Sequence, residues 1–211
     1  DGNTLLLRLP AAFVEQAALP LELDPLIGAV IAATTSGRNL DPQAAYDAGL
    51  AKYLVVWWRR YSSSTADVYG QFVNSATTGG ADLSGTSVVI RTGTNAQRAR
   101  VADCSVRNAF LVGWQETVTV APLPTHRDLY VRAVSPTTLG TTLPLAPTFN
   151  DENGLELAGN VTESSSSVLA AWLDNGNVRL TTVSVSGALG STLGTVVTAS
   201  SEKCDFHVPV R

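Results

Sequence analysis

Carboxylates and carboxamides recur at matched places along this chain of 211 residues. Asp67, Asp128 and Asn177 each open an apolar segment, and Asp47, Asp103 and Asn160 each close one. A ring of such groups could hold calcium or carry out acid–base work. The competing reading is that each side chain accepts backbone N–H bonds and fixes a turn, the usual task of Asp and Asn beside strands. Recurrence decides for the turn, because a catalytic constellation occurs once while a residue repeated in every unit serves the unit itself. Groups that occur once are better candidates for chemistry. Arg59, Arg60 and Tyr61 stand together in a connection that differs from unit to unit, and they form the candidate ligand-binding set. Arginine forks onto carboxylates and tyrosine stacks, so an acidic or sugar ligand would suit them. A solvated arginine pair beside a loop tyrosine is the plainer alternative. For glycoside hydrolysis, which needs two carboxyl groups about 5–10 Å apart on one face, Glu116 and Asp128 are the pair to consider.

Much chemistry is absent from the pattern. His126 and His207 are the only histidines, and neither sits in HExxH or any other metal-ligand spacing. No serine has the surroundings of a nucleophile elbow, and Ser164–Ser167 is a low-complexity stretch. No catalytic residue, metal or cofactor is therefore expected. Asn160-Val161-Thr162 is a formal glycosylation sequon, meaningful only in a host equipped for it. Cys104 and Cys204 fit neither a zinc site nor a disulfide framework. In an oxidising compartment they could bridge each other or another chain; in a reducing one they would be small buried hydrophobes. A net charge of −4 leaves no electrostatic footprint for nucleic acid. The longest clean apolar stretch, residues 26–33, falls well short of the roughly 20 needed to span a bilayer, so no transmembrane segment is expected.

The elements that position these residues follow from a repeat. Residues 53–57 (YLVVW), 110–114 (FLVGW) and 168–172 (VLAAW) are apolar pentapeptides ending in Trp57, Trp114 and Trp172, at intervals of 57 and 58 residues. Before each lies a short segment ending in a small polar residue: 43–47, 100–104 and 157–160. After each come a third segment, at 67–73, 128–134 and 177–183, and a fourth, at 87–91, 143–147 and 194–198. Each unit thus predicts four strands of about 5–7 residues joined by turns. Asp174-Asn175-Gly176-Asn177 carries the Asn-Gly signature of a type I′ hairpin, and 77–80, 84–85 and 151–154 mark further turns. Residues 10–19 come nearest to helical periodicity but are flanked by prolines, which allows one short helical turn.

A repeated four-stranded antiparallel unit of this size predicts an all-β fold, a β-propeller with about three full blades and partial blades at both ends. The boundaries are a partial blade at 1–37, blades at 41–91, 98–147 and 157–198, and a first strand at 205–211. Stacked blades bury a middle strand on both faces, which explains why Val55-Val56-Trp57-Trp58 shows no alternation. Tyr53, Val55 and Trp57 would then meet one neighbour, and Leu54, Val56 and Trp58 the other. Recurrence also assigns Trp57, Trp114 and Trp172 to these joints rather than to a carbohydrate platform.

The stretch around Tyr46-Asp47, Tyr53–Trp57 and Asp67-Val68-Tyr69-Gly70-Gln71 resembles the blade repeats of large secreted and surface proteins of bacteria, written with a D-I-Y-G-Q core. Residues 41–91 match closely, 98–147 loosely and 157–198 in outline, with Asn177-Val178-Arg179 in place of Asp-Val-Tyr. The resemblance implies a propeller in a secreted, periplasmic or cell-surface protein and transfers no catalytic residue. Twelve arginines against two lysines are associated with the GC-rich genomes of such organisms. The Asp-box of sialidases, S-x-D-x-G-x-x-W, is not met at Asp67–Gly70. The expected role is a non-enzymatic structural or interaction module; a carbohydrate-binding or glycoside-cleaving propeller is the alternative. The chain opens on Asp1 and contains no methionine, so a processed or partial product is expected. Its strands fall one short of a closed four-bladed ring. Another polypeptide or a second copy is expected to complete it, with Cys204 near the open end.

Overall fold

The computed structural model describes residues 38–75, 82–93, 95–104, 107–119, 125–146, 148, 150–159, 166–186 and 189–199. The partial blades expected at 1–37 and 205–211, the helical turn at 10–19, the sequon, His207 and Cys204 lie outside these residues. Aromatic and branched side chains at successive positions favour extended backbone, and the first tryptophan run becomes β2 (Lys52–Arg60). It pairs on either side with β1 (Arg38–Asp47) and β3 (Ala66–Asn74), and β4 (Asp82–Arg91) completes an antiparallel sheet in the order β1-β2-β3-β4. The second sheet repeats this with β5 (Ala96–Cys104), β6 (Ala109–Val118), β7 (His126–Val134) and β8 (Leu139–Pro144). The third contains β9 (Glu152–Ala158), β10 (Ser167–Asp174) and β11 (Asn177–Val185). Two short strands, β12 (Ser191–Leu193) and β13 (Val197–Ala199), share the far edge of β11. The described residues are all-β and antiparallel, as the repeat predicts.

Several boundaries differ from expectation. The ladder continues past the tryptophans, with Arg59 opposite Asp67 and Arg60 opposite Ala66, so both arginines belong to strand β2 rather than to a loop. Residues 84–85 lie inside β4, and 152–154 inside β9, where turns were expected. The hairpin at 174–177 is as predicted. Asn175 and Gly176 both have positive φ, 48° and 81°, the pair that a type I′ turn demands.

The sheets stack face to face. Leu54, Val56 and Trp58 of β2 pack in one cluster with Phe110, Val112 and Trp114 of β6. The intervening residues of β6, Ala109 and Leu111, pack instead with Val168, Ala170 and Trp172 of β10. Strand β6 is therefore buried on both faces, which accounts for its unbroken apolar run. Gly113 belongs to this second joint, where an added Cβ would stand 2.6 Å from a methyl of Leu155. The stacking has a direction: Trp114 and Trp172 each face the preceding sheet, and Trp57, alternating with Trp58, faces away from the second.

The first strands share a device. Each carries a β-bulge, between Leu40 and Gln43, between Gln97 and Arg100, and in β9 opposite Ala171–Leu173. One residue in each bulge lies in left-handed space: Asp41 (φ 48°), Arg98 (φ 51°) and Gly154 (φ 65°). An extra residue of this kind bends the strand and increases its twist. The residue after it enters the joint at Ala99 and Leu155, which are 0% and 5% exposed. Strand β1 lies against β5, and β5 against β9, so the first strands gather along one side of the stack.

Candidate functional site

Many of the charged residues meet at the end of the stack where second strands finish and third strands begin. On the first sheet, Arg59 donates from Nε to Asn39 Oδ1 at 2.9 Å, and its guanidinium lies 4.8 Å from the centre of the Tyr69 ring. The hydroxyls of Tyr61 and Tyr69 are 2.5 Å apart. That bond, together with burial, pushes the Tyr69 hydroxyl up to about 12. Arg60 lies over the Trp58 ring at 5.0 Å instead. Strand alternation sets neighbouring side chains on opposite faces, so Arg59 and Tyr61 meet through Tyr69 while Arg60 joins the other side. The three candidates do not converge on one pocket.

The hydrolytic pair fares differently. Glu116 and Asp128 are directly opposite in the β6–β7 ladder, hence on one face with Cβ atoms about 5 Å apart. Glu116 is 4% exposed and fully engaged: Arg91 of the first sheet donates from Nε at 2.6 Å and from Nη2 at 3.1 Å, and Trp114 Nε1 donates at 2.7 Å. Asp128 accepts from the Tyr130 hydroxyl at 3.3 Å and lies 3.2 Å from His126 Nε2. Burial, then the charges of Asp128 and Glu116, push the Tyr130 hydroxyl up to about 12. Both carboxylates thus work within the protein, Glu116 as the clamp between first and second sheets.

Two of the recurring carboxylates accept backbone N–H groups at turns. Asp47 Oδ1 accepts the Leu50 N–H at 2.8 Å and closes the β1–β2 turn. Asp67 accepts the Thr92 hydroxyl and the Gly93 N–H, each at 3.1 Å, and so anchors the connection to the next sheet.

A further cluster, at the joint between second and third sheets, was not singled out by motif. Glu152 and Asp174 are opposite partners in the β9–β10 ladder, 0% and 5% exposed. Asp174 accepts from Arg179 Nε at 2.9 Å, and Glu152 accepts from the Thr148 hydroxyl. Beside them Arg127 pairs with Asp151, holding that carboxyl below its usual range. One signal was available. The residue two beyond each repeating tryptophan is charged (Arg59, Glu116, Asp174), although its sign and its partner change from unit to unit. Among the described residues, no group of three His, Cys, Asp or Glu is arranged to hold a metal ion.

Cys104 carries a free thiol, 2% exposed, with Sγ 3.3 Å from the Ser166 carbonyl. Burial, then the Asp103 charge, pushes it up to about 11, so at pH 8 only about one molecule in a thousand would hold the reactive thiolate. Native protein treated with iodoacetamide at pH 8 is expected to leave the Cys104 peptide unmodified, and denatured protein to label it fully. Peptide mass mapping checks both.

Among the described residues, one cleft of about 290 Å³ and another of about 500 Å³ open on the surface. The smaller opens between the first strands, beside Tyr46, Asp103 and Leu157; the Tyr46 ring lies 4.7 Å from that of Tyr53, and both are about 40% exposed. The larger opens at the other end, beside Arg107 and Ser135–Thr138. Among the described residues, no helix is long and apolar enough to cross a membrane. No protein-family model matches the chain, and no curated protein matches it.

Proposed function

We propose that the chain is a non-enzymatic β-propeller module, a structural and interaction part of a secreted or surface-associated bacterial assembly. The observation that carries this reading is the forward face of the third sheet. Each joint covers one such face with the tryptophan-bearing face of the next sheet. On the third sheet the corresponding residues remain in water, with Leu169 45%, Leu173 38% and Val197 56% exposed. A contiguous apolar patch of this kind marks a surface for association. The occupant that fits is a further sheet, on a second copy or another polypeptide, that presents a stacked Trp–Tyr pair of the kind that Trp114 and Tyr130 bury at the first joint. The engagement of Glu116, Asp128 and Asp67 in bonds within the protein supports the non-enzymatic part.

Sedimentation of the wild type and of the double variant Leu169→Glu/Leu173→Glu tests the surface. The wild type is expected to gain mass with concentration, and the variant to remain at the mass of one chain with its thermal midpoint nearly unchanged. A wild type that stays at single-chain mass, with a variant no more soluble than it, would overturn the reading. Glycan binding is the second reading, favoured by the exposed Tyr46–Tyr53 ring pair, of which Tyr46 lines a cleft. A glycan array compared with Tyr53→Ala checks it.

A further inference from the structure

Glu152 is wholly buried, and its Oε2 has no hydrogen-bond partner; Asp174 Oδ1, on the opposite strand, is also buried without one. An ionised carboxylate is an acceptor only, so two of them side by side cannot bond to each other, and each unpaired oxygen carries its desolvation penalty. One proton changes this, since a protonated carboxyl donates. The groups around Glu152 come from several elements. Thr148, ahead of β9, donates its hydroxyl to it, Asp174 faces it on β10, and the charges of His126 and Asp128 on β7 reach it, while Arg127 on β7 and Arg179 on β11 stand nearby. The two arginines already serve Asp151 and Asp174, and Glu116 on β6 is neutralised by Arg91.

We infer that Glu152 and Asp174 form a proton-binding site: Glu152 takes up a proton in mild acid, which lets it donate to the facing Asp174 carboxylate and steadies the start of the third sheet, and gives it up as the medium turns alkaline. Burial sets the direction, and the charges of Asp128 and Asp174 reinforce it; the Thr148 hydroxyl and His126 pull the other way. The net effect brings Glu152 to about 7, from 4.5 in the unfolded chain. A carboxyl raised on folding binds its proton more tightly in the native state. Its contribution is therefore complete below the unfolded value and is lost as pH rises through about 7. Asp151, whose carboxyl is lowered, acts in the opposite sense and further into acid. The inference stands apart from the proposed function, because it concerns an internal joint and not the exposed face.

Carboxyl-detected ¹³C NMR on the intact chain, with Glu152→Gln to assign the signal, reads the site directly. The Glu152 resonance is expected to titrate near pH 7, and a midpoint near 4.5 would overturn the inference. Urea unfolding supplies the second readout. Between about pH 5 and 7 the unfolding constant of the wild type is expected to grow by up to tenfold per pH unit, the slope of one proton. Glu152→Gln is expected to be flat over this window and more stable than the wild type at pH 8. A wild type that is flat there, or a variant that keeps the slope, would equally overturn it.

Discussion

Truncation of Trp114 to alanine is expected to lower the unfolding free energy by about 3–5 kcal/mol, the range for a large aromatic side chain removed from a packed core. Trp114 is 0% exposed and sits where the first and second sheets meet. Its ring stacks on Tyr130 at 6.2 Å, and its Nε1 is one of the donors that hold Glu116. The substitution thus opens a cavity and also takes a hydrogen bond from a buried carboxylate. Since domains of this size are stable by about 5–15 kcal/mol in total, much of the margin would go. Urea denaturation followed by tryptophan fluorescence and by far-ultraviolet circular dichroism measures it. Tyr61→Ala, which removes a 53% exposed ring, is the control expected to stay within about 0.5 kcal/mol. Equal losses for the two variants would refute the assignment of Trp114 to a joint.

The second large effect concerns the clamp itself. Arg91→Met leaves Glu116 buried with only the Trp114 donor, and removing one partner of a buried pair costs about 3–5 kcal/mol. Arg91 is itself 31% exposed on its side chain, so water screens part of the interaction and the lower end, about 3 kcal/mol, is expected. Adding Glu116→Gln removes the stranded charge while keeping an oxygen for Trp114 Nε1. The double variant is expected to recover most of the loss. A double-mutant cycle in urea reads the coupling directly; a double variant no better than Arg91→Met would show that the charge was not the cause.

The parts of this fold that were legible in the sequence are those written in side chains. The Tyr53–Trp57, Phe110–Trp114 and Val168–Trp172 runs announce central strands because burial on both faces leaves no room for polar residues. Asn175-Gly176 announces its turn because few other residues accept two positive φ angles in succession. The bulges were illegible for the opposite reason. Asp41-Pro42, Arg98-Ala99 and Gly154-Leu155 share no side-chain chemistry; what they share is one extra residue of backbone, counted only against the partner strand. The same holds for the Glu152 cluster. Glu152 lies in a stretch that reads as a turn, and its neighbours Asp128 and Asp174 are 24 residues before it and 22 after it. Only the ladder and the stacking bring them together. Arg59 and Arg60 read as a pair on paper, and a strand's alternation separates them.

The one-way stacking of the sheets bears on how such a chain can change its length. The surface that each unit offers behind it and the surface it offers ahead are the two halves of a single joint, and the chain already forms that joint twice. A tandem duplication of one repeat of 57 residues would therefore arrive with both of its contacts matched in advance. A gain or loss of half a repeat would leave a two-stranded half-sheet, too narrow to cover the faces on either side of it. Growth in this architecture is quantised, and the quantum is the whole sheet.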